Sequence, residues 1–142
     1  MTEKIYIDWN EFHSDVKALA QQLEKRGQFN RIVAVSRGGL IPAGVLAYEL
    51  NIRNCEAINI SSYDNESKRD DTAIEIGTVL HHADEHTLIV DDLADSGRTL
   101  QILHKLYPSA TLACVYVKPE GQKYCNIYAK QLPNQWVVFP WD

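Results

Sequence analysis

The sequence predicts an α/β fold, with a central, mainly parallel sheet flanked by helices. Short runs of β-branched and other apolar residues recur along the chain, and helical segments separate them. Continuous apolar strands that alternate with helices are typical of a parallel sheet covered on both faces. The length of 142 residues and the hydrophobic fraction of 45% suit one compact core. We therefore expect a single domain, 1–142.

The first half of the chain predicts two helices and two strands. Asp8 can cap a first helix, with Glu11 completing a capping box, and Gly27 ends it. Its core positions follow helical spacing: Phe12, Val16, Leu19, Ala20 and Leu23. The next elements are a strand over 32–35, a tight loop over 36–39, an apolar helix over about 41–50 and a strand over 56–61. Residues 62–77 are polar and predict an exposed hairpin or a mobile flap.

The second half predicts strands over 87–90, 111–117 and 136–139, a loop over 93–98 and a helix over about 99–106. Ligands of open parallel sheets bind beyond the carboxyl ends of the strands. Three polar clusters follow predicted strands, namely 36–39, 91–99 and Lys118. We expect them to meet at one edge of the sheet.

Charge and composition argue against several classes of protein. The formal net charge of -5 is unlike the basic surface of a nucleic-acid or anionic-membrane binder. We expect no signal peptide at the N-terminus, and the apolar segment 40–50 is too short to span a bilayer. The three cysteines lack metal-ligand spacing, which favours reduced thiols. We expect a cytoplasmic protein without integral membrane contact, at most loosely associated with a membrane.

The segment 88–99 carries the strongest chemical signal. Asp91 and Asp92 follow an apolar strand and offer acceptors for sugar hydroxyls and for a hard cation such as magnesium. Gly97 permits close approach of the backbone to a ligand. Free amides at the start of the next helix, with the hydroxyls of Ser96 and Thr99, form an anion cradle. A phosphorylated ribose has hydroxyls that suit the acid pair and a phosphate that suits the anion cradle.

This segment resembles the signature of the type I phosphoribosyltransferases at every position, with Ala94 a slightly small residue. Asp95 occupies the variable position as in the 6-oxopurine branch, where the acid meets the purine N7. The resemblance extends over the chain to bacterial xanthine-guanine phosphoribosyltransferases. It departs at Val137-Val138-Phe139, where an acidic residue is often seen, and in lacking that family's extension after Asp142. The further matching segments are 35–40, 61–64, Arg69, Lys118-Pro119, Trp136 and 140–142.

The resemblance implies the type I phosphoribosyltransferase fold with a flap (about 62–77), a purine-binding hood (about 118–142) and an unusual cis peptide near Arg37. It implies purine salvage, in which guanine, xanthine or hypoxanthine reacts with phosphoribosyl pyrophosphate, and a homo-oligomer, dimer or tetramer. Asp95 would be catalytic and Asp92 would contact Mg²⁺. The implied purine site is Asp95, Lys118, Trp136 and Val137. The implied phosphoribosyl pyrophosphate site is Arg37, Gly38, Arg69, Asp91, Asp92, Leu93, Ala94, Asp95, Ser96, Gly97, Arg98 and Thr99.

Two other functions stay open at the level of sequence. A receiver-like signalling domain also uses an acid pair and a Lys-Pro corner, but it needs its acids after the first strand, where this chain has 36–39. A non-catalytic regulator could retain the sugar-diphosphate site. Asp95, Arg69 and Lys118 together favour retained catalysis.

The segment 81–86 contains a group of possible metal ligands, namely His81, His82, Asp84 and His86. It is interpreted as a solvated turn because it lacks strict ligand spacing.

Overall fold

The structure is a computed structural model that describes residues 3–62, 74–76, 80 and 82–142. The helices are α1 (Trp9–Arg26), α2 (Leu40–Glu49) and α3 (Arg98–Leu106), with a one-turn 3-10 helix, η1 (Gly121–Tyr124). The strands are β1 (Lys4–Tyr6), β2 (Arg31–Ser36), β3 (Cys55–Ser62), β4 (Ile74–Ile76), β5 (Thr87–Ala94), β6 (Thr111–Val117), β7 (Ile127–Gln131) and β8 (Trp136–Val138).

The described part of the chain forms a six-stranded main sheet in the order β4-β3-β2-β5-β6-β7. Neighbouring strands are parallel throughout, except that β4 is antiparallel to β3. A second sheet consists of β1 and β8, which are parallel. The predicted α/β architecture is confirmed.

The helix α1 forms as its sequence predicts. The backbone N–H of Glu11 donates to Oδ1 of Asp8 at 2.8 Å, and Gly27 donates to the carbonyl of Leu23 at 3.3 Å. These two contacts satisfy backbone groups that the helix ends would leave without partners. The buried positions are the five expected from the periodicity: Phe12, Val16, Leu19, Ala20 and Leu23.

Two apolar layers cover the main sheet, one on each face. Along β2, Ile32 and Ala34 face the layer that holds α1 and α2, whereas Val33 and Val35 face the layer that holds α3. Because both faces are dry, the central strands are apolar at successive positions instead of alternate ones. The predicted elements 32–35 and 111–117 follow from this rule.

A partly buried hydrogen bond links the sheet to α1. Tyr116 on β6 is inaccessible to solvent, and its hydroxyl donates to Oδ2 of Asp15 at 2.6 Å. Burial, together with the Asp15 carboxylate that accepts this bond, raises the pKa of Tyr116 well above its usual range. The hydroxyl therefore stays protonated and serves as a donor.

The structure differs from the sequence prediction in several elements. The strand β5 continues through Ala94, because Leu93 and Ala94 pair with Tyr116 and Val117 on β6, so the predicted loop 93–98 starts later. The strands β1 and β7 and the turn η1 were not predicted. Both strands are short and partly exposed, so their sequences give little signal. The strand β1 forms by pairing with β8 at the other end of the chain, and β7 forms by pairing with β6 after the turn η1.

The predicted flap falls mostly outside the described residues. Ser62 ends β3, and Ile74–Ile76 pair with it as β4, but 63–73 and 77–79 are not described. The predicted hood, 118–142, is divided: β7 belongs to the main sheet and β8 to the small one. None of the described helices is long and apolar enough to cross a membrane. The cytoplasmic location stays a prediction.

Candidate functional site

The three polar clusters meet at the carboxyl edge of the main sheet. The strands β2 and β5 are parallel neighbours with Ala34 opposite Val90, so Ser36, the last residue of β2, is level with Asp92 on β5. The strand β6 lies on the other side of β5 and leads directly into Lys118. The expected convergence of 36–39, 91–99 and Lys118 is therefore correct.

The arginine-glycine turn, 36–39, packs tightly against the acid pair. It contains a cis peptide bond between Ser36 and Arg37, as predicted. A Cβ atom on Gly38 would lie 2.6 Å from Cγ of Asp92, and one on Gly39 would lie 2.6 Å from the carbonyl oxygen of Val35. At Gly39 only glycine fits, because the close atoms are backbone, whereas a side chain at Gly38 would have to displace the Asp92 carboxylate.

Both residues of the acid pair are half-buried, and each carboxylate accepts a backbone hydrogen bond. Oδ1 of Asp91 accepts from the backbone N–H of Asp92 at 2.8 Å, and Oδ1 of Asp92 accepts from that of Leu93 at 2.7 Å. Burial raises the pKa of Asp91, and the neighbouring Asp92 carboxylate raises it further. Burial also raises the pKa of Asp92. A cation bound here would relieve the cost of bringing two negative charges together.

The phosphate loop, residues 93–99, lines a cavity of about 350 Å³ together with Asp91 and Leu100. Gly97 caps the start of α3 with a φ of 87°, a left-handed conformation that favours glycine. The backbone N–H of Arg98 donates to Oγ of Ser96 at 3.3 Å. Backbone amides at the start of a helix attract anions, so this cavity suits a phosphate group.

Lys118 and Asp95 form the polar pair next to this loop. The side chain of Lys118 is only 8% exposed, and its Nζ lies 3.4 Å from Oδ1 of Asp95, whose side chain is 66% exposed. The Lys118 backbone donates to the carbonyl of Ala94 at 2.9 Å and accepts from Gln122 at 3.0 Å. The buried amine is thus held in place while its carboxylate partner faces solvent.

Trp136 and Val137 lie on β8 in the small sheet. The Trp136 side chain is 65% exposed, which leaves the indole free to contact a ligand. Val137 is opposite Ile5 in the pairing of β1 with β8, and its side chain is buried in the core. Their predicted contacts with a purine stay predictions.

A second cavity, of about 420 Å³, includes residues for which the sequence had predicted no role. Arg37, Gly38 and Asp92 line it, together with Ile41, Phe139, Trp141 and Asp142. The rings of Phe139 and Trp141 stack with centroids 4.6 Å apart and an interplanar angle of 3°. The motif 140–142 had matched the family, but only its position in space shows that it faces the arginine-glycine turn.

Asp142 is held towards this cavity by a local turn. Its Oδ2 accepts from the backbone N–H of Phe139 at 2.8 Å. The Asp142 charge also contributes, after burial, to the raised pKa of Asp92, so the two carboxylates are within electrostatic range. Asp92 and Asp142 therefore offer oxygen donors of the kind that Mg²⁺ prefers.

No group of three or more His, Cys, Asp and Glu side chains is arranged to hold a metal within the described ranges. Magnesium commonly binds through one or two carboxylates together with substrate phosphates and water. The donor set at Asp92 fits that mode and not an all-protein cage. Arg69, predicted to reach the pyrophosphate from the flap, lies outside the described residues.

The histidine group predicted to be a solvated turn agrees with that interpretation where it is described. Oδ1 of Asp84 accepts from the His86 backbone N–H at 2.9 Å, and the His86 ring is hydrogen-bonded to the carbonyl of Gln28 at 3.0 Å. A cavity of about 450 Å³ lies beside His86, at the amino ends of β2 and β5. This cavity is larger than the two at the carboxyl edge of the sheet, but the convergent polar groups lie at the opposite edge. It is therefore not the candidate functional site.

The fold and the two cavities define a protein of the phosphoribosyltransferase class. The family model described as the phosphoribosyl transferase domain matches residues 4–142. The chain belongs to this family, and the receiver-like alternative is wrong.

Curated relatives narrow the likeness. The chain is 36% identical over 140 residues to a xanthine-guanine phosphoribosyltransferase of Idiomarina loihiensis, covering 98% of this chain and 87% of the relative. It is 40% identical over 139 residues to an enzyme of the same name from Gluconobacter oxydans, covering 96% and 83%. A solved purine phosphoribosyltransferase from Pyrococcus horikoshii is 28% identical, with a TM-score of 0.81 and coverage of 98% and 94%.

Proposed function

We propose that this chain transfers the phosphoribosyl group of phosphoribosyl pyrophosphate to guanine or xanthine, and to hypoxanthine, in purine salvage. The observation that carries the proposal is that the acid pair joins two cavities. Asp91 lines the cavity beside the phosphate loop, and Asp92 lines the cavity beside Arg37. The substrate has its 5-phosphate and its pyrophosphate on opposite sides of a ribose diol. The acid pair would meet that diol in the middle.

The first cavity suits the 5-phosphate. Backbone amides of residues 96–99 and the hydroxyls of Ser96 and Thr99 would donate to its oxygens. Leu93, Ala94 and Arg98 complete the wall. Because Gly97 leaves the backbone uncovered, a phosphate could approach it closely.

The second cavity suits the pyrophosphate. Arg37 would pair with the diphosphate, and the Gly38 amide would donate to it, with Arg69 as a further predicted contact. Asp92, with Asp142 nearby, would hold Mg²⁺. Bound there, the metal would neutralise charge on the leaving diphosphate.

The polar pair Lys118 and Asp95 matches one edge of a 6-oxopurine. Guanine presents O6 and N7 side by side as acceptors in its usual tautomer. Lys118 would donate to O6, and Asp95 would take the N7 proton of the reactive tautomer as N9 bonds to the sugar carbon and pyrophosphate leaves. Trp136 would stack on the ring and Val137 would offer its backbone to the 2-substituent. A buried lysine facing the amino group of adenine would lose its acceptor, which disfavours that base.

The experiment that tests the proposal is a spectrophotometric screen of guanine, xanthine, hypoxanthine and adenine with phosphoribosyl pyrophosphate and Mg²⁺. We expect nucleoside monophosphate from the 6-oxopurines and little from adenine. A protein that binds the sugar diphosphate but forms no nucleotide with any base would instead be a regulator. The same screen with Mg²⁺ removed by chelation should lose turnover.

The proposed homo-oligomer would use the exposed face of α2. Tyr48 is 91% exposed and Leu40 is 47% exposed, and between them Gly44 leaves open space where a Cβ would be. A cleft of about 290 Å³, lined mainly by apolar residues, lies beside Gly44. In a twofold interface each copy offers the same surface, so Tyr48 of each copy could enter the cleft of the other.

Light scattering would test this interface. Tyr48→Glu should reduce the oligomer to monomer, and Tyr6→Glu is the matched control, because Tyr6 is also exposed but lies on β1. An unchanged mass for Tyr48→Glu would exclude this surface. A monomeric wild type would exclude the homo-oligomer.

A further inference from the structure

Two cysteine side chains form a thiol pair behind the phosphate loop. Cys114 on β6 is fully buried and Cys125, just after η1, is half-buried; both are unbridged. The Cys125 sulfur lies 3.8 Å from the carbonyl oxygen of Leu112, which is two residues before Cys114 on the same strand. Both belong to the apolar layer that contains α3, so the two sulfurs share a dry environment.

The thiol pair lies next to Asp91 of the acid pair and next to the turn η1. Cys114 is opposite Asp91 in the pairing of β6 with β5. The backbone N–H of Cys125 donates to the carbonyl of Gln122 at 3.1 Å and so ends η1. Any covalent change at Cys125 acts directly on η1.

The turn η1 in turn packs against the phosphate loop with little free space. A Cβ on Gly97 would lie 3.1 Å from the ring of Tyr124 and 3.2 Å from Cα of Gly121. A Cβ on Gly121 would lie within 2.8 Å of Cβ of Ala94. A small displacement of η1 would therefore move the backbone of residues 94–97, because packed interiors transmit strain.

We infer that Cys114 and Cys125 form a reversible disulfide under peroxide, and that this bond weakens the binding of phosphoribosyl pyrophosphate. The second part rests on the proposed function. Hydrogen peroxide oxidises the more accessible Cys125 thiol to a sulfenic acid and is itself reduced to water. The Cys114 sulfur then attacks the Cys125 sulfur, the S–O bond breaks, and a second water leaves with the thiol proton.

The disulfide would displace Cys125 from its present contacts. The Cys125 thiol donates to the carbonyl of Ile127 at 3.0 Å and lies 3.8 Å from that of Leu112. Forming the bond removes the hydrogen from this donor and draws the sulfur towards β6. The turn η1 must follow, and with it the contacts that support Gly97.

Cys55 provides a matched control within the same chain. It begins β3 and is exposed, and its sulfur is directed to the carbonyl of Ile52 at 3.7 Å. It lines the cleft proposed for the oligomer interface but is in neither the thiol pair nor the phosphate loop. Peroxide can oxidise it, but that should not change the sugar-phosphate site.

The test uses the full chain, treated with hydrogen peroxide and then with a thiol reductant. Peptide mapping under non-reducing conditions should find the Cys114–Cys125 bond. Calorimetry with phosphoribosyl pyrophosphate and Mg²⁺ should show affinity lowered by roughly tenfold, within the range of typical coupling between sites. The reductant should restore it. Cys125→Ser should bind equally well before and after peroxide, whereas Cys55→Ser should respond as wild type.

Several outcomes would overturn the inference. Mapping that finds Cys125 oxidised without the bond to Cys114 excludes the disulfide, and a loss of affinity that persists in Cys125→Ser excludes its effect on binding. Cys125→Ala, checked by circular dichroism, replaces the serine variant if that fails to fold. If the reduced protein never binds the sugar diphosphate, the proposed function fails and so does the effect on binding, while mapping still decides the disulfide.

Discussion

Lys118 directs its Nζ to within 3.4 Å of Oδ1 of Asp95, although the lysine is buried and the aspartate is mostly exposed. The two residues come from the ends of β6 and β5, which are neighbours in the sheet. A cation and a carboxylate are thus placed side by side at the mouth of the site, where a planar base with adjacent acceptor and donor positions would fit between or beside them.

Asp95→Ala should lower kcat with guanine by roughly a hundredfold or more, because it removes the proposed proton acceptor. Because the variant removes the carboxylate next to the buried Lys118 amine, circular dichroism first checks that it folds. Steady-state kinetics measures the rate, and calorimetry should show that binding of the sugar diphosphate is nearly unchanged. Loss of that binding would mean that Asp95 belongs to the sugar site instead.

Lys118→Met should lower kcat/KM for guanine by roughly 10- to 100-fold, since a hydrogen bond to a charged donor contributes about 1.5–3 kcal/mol. Methionine fills similar volume but cannot donate to O6. The discrimination against adenine should shrink in parallel. Lys105→Met, on the exposed side of α3, is the control and should match wild type. Equal losses for all bases would argue against contact with O6.

Gly38→Ala should abolish tight binding of phosphoribosyl pyrophosphate, because the new methyl group would overlap the Asp92 carboxylate. The matched control is Gly27→Ala, where a Cβ meets nothing within 4 Å. Titration calorimetry in the presence of Mg²⁺ compares the two variants. Wild-type affinity in Gly38→Ala would show that the turn and the acid pair are not packed as described.

Asp91→Asn should stabilise the fold by an amount that grows as the pH rises above the ordinary aspartate pKa of 3.8. Burial raises the pKa of Asp91 in the folded state, so the native protein binds more protons than the unfolded chain in this window. Wild-type stability must then fall with increasing pH, and the neutral amide removes this contribution.

Denaturant unfolding at several pH values measures that difference between Asp91→Asn and wild type. Asp84→Asn is a useful comparison, because hydrogen bonding from the His86 backbone lowers the pKa of Asp84. The sign should therefore be opposite: wild type gains from the Asp84 charge above the unfolded pKa and loses that gain as the pH falls. A pH-independent difference for Asp91→Asn would contradict the first expectation.

Tyr116→Phe should lower the free energy of unfolding by about 1–3 kcal/mol, because the hydroxyl of this buried side chain donates to the partly buried Asp15 carboxylate. Chemical denaturation measures the change. Tyr6→Phe serves as the control, since that hydroxyl is on a largely exposed side chain outside the proposed interface. A change of less than about 0.5 kcal/mol, the range of ordinary surface substitutions, would mean that the bond to Asp15 contributes little.

Elements with local signals were predictable from the sequence. The ends of α1 at Asp8 and Gly27 were predictable because their hydrogen bonds reach only three or four residues along the chain. The strand 111–117 is recognisable because its residues are buried on both faces. By contrast, Lys4–Tyr6 becomes a strand only through pairing with Trp136–Val138 at the other end of the chain. No local pattern of three residues specifies such a partner.

The sequence alone determined the chemistry of the turns at the sheet edge, since two acids, a glycine and hydroxyl groups close together specify a loop for a phosphorylated sugar. The tertiary structure decided which other groups meet that loop. Gly38 lies against Asp92 because β2 and β5 pair in parallel and end at the same edge of the sheet. The cavity next to them is also lined by residues from the end of the chain, Phe139, Trp141 and Asp142. Local propensity acts over a few residues, whereas the shape of a site depends on packing between segments far apart in the chain.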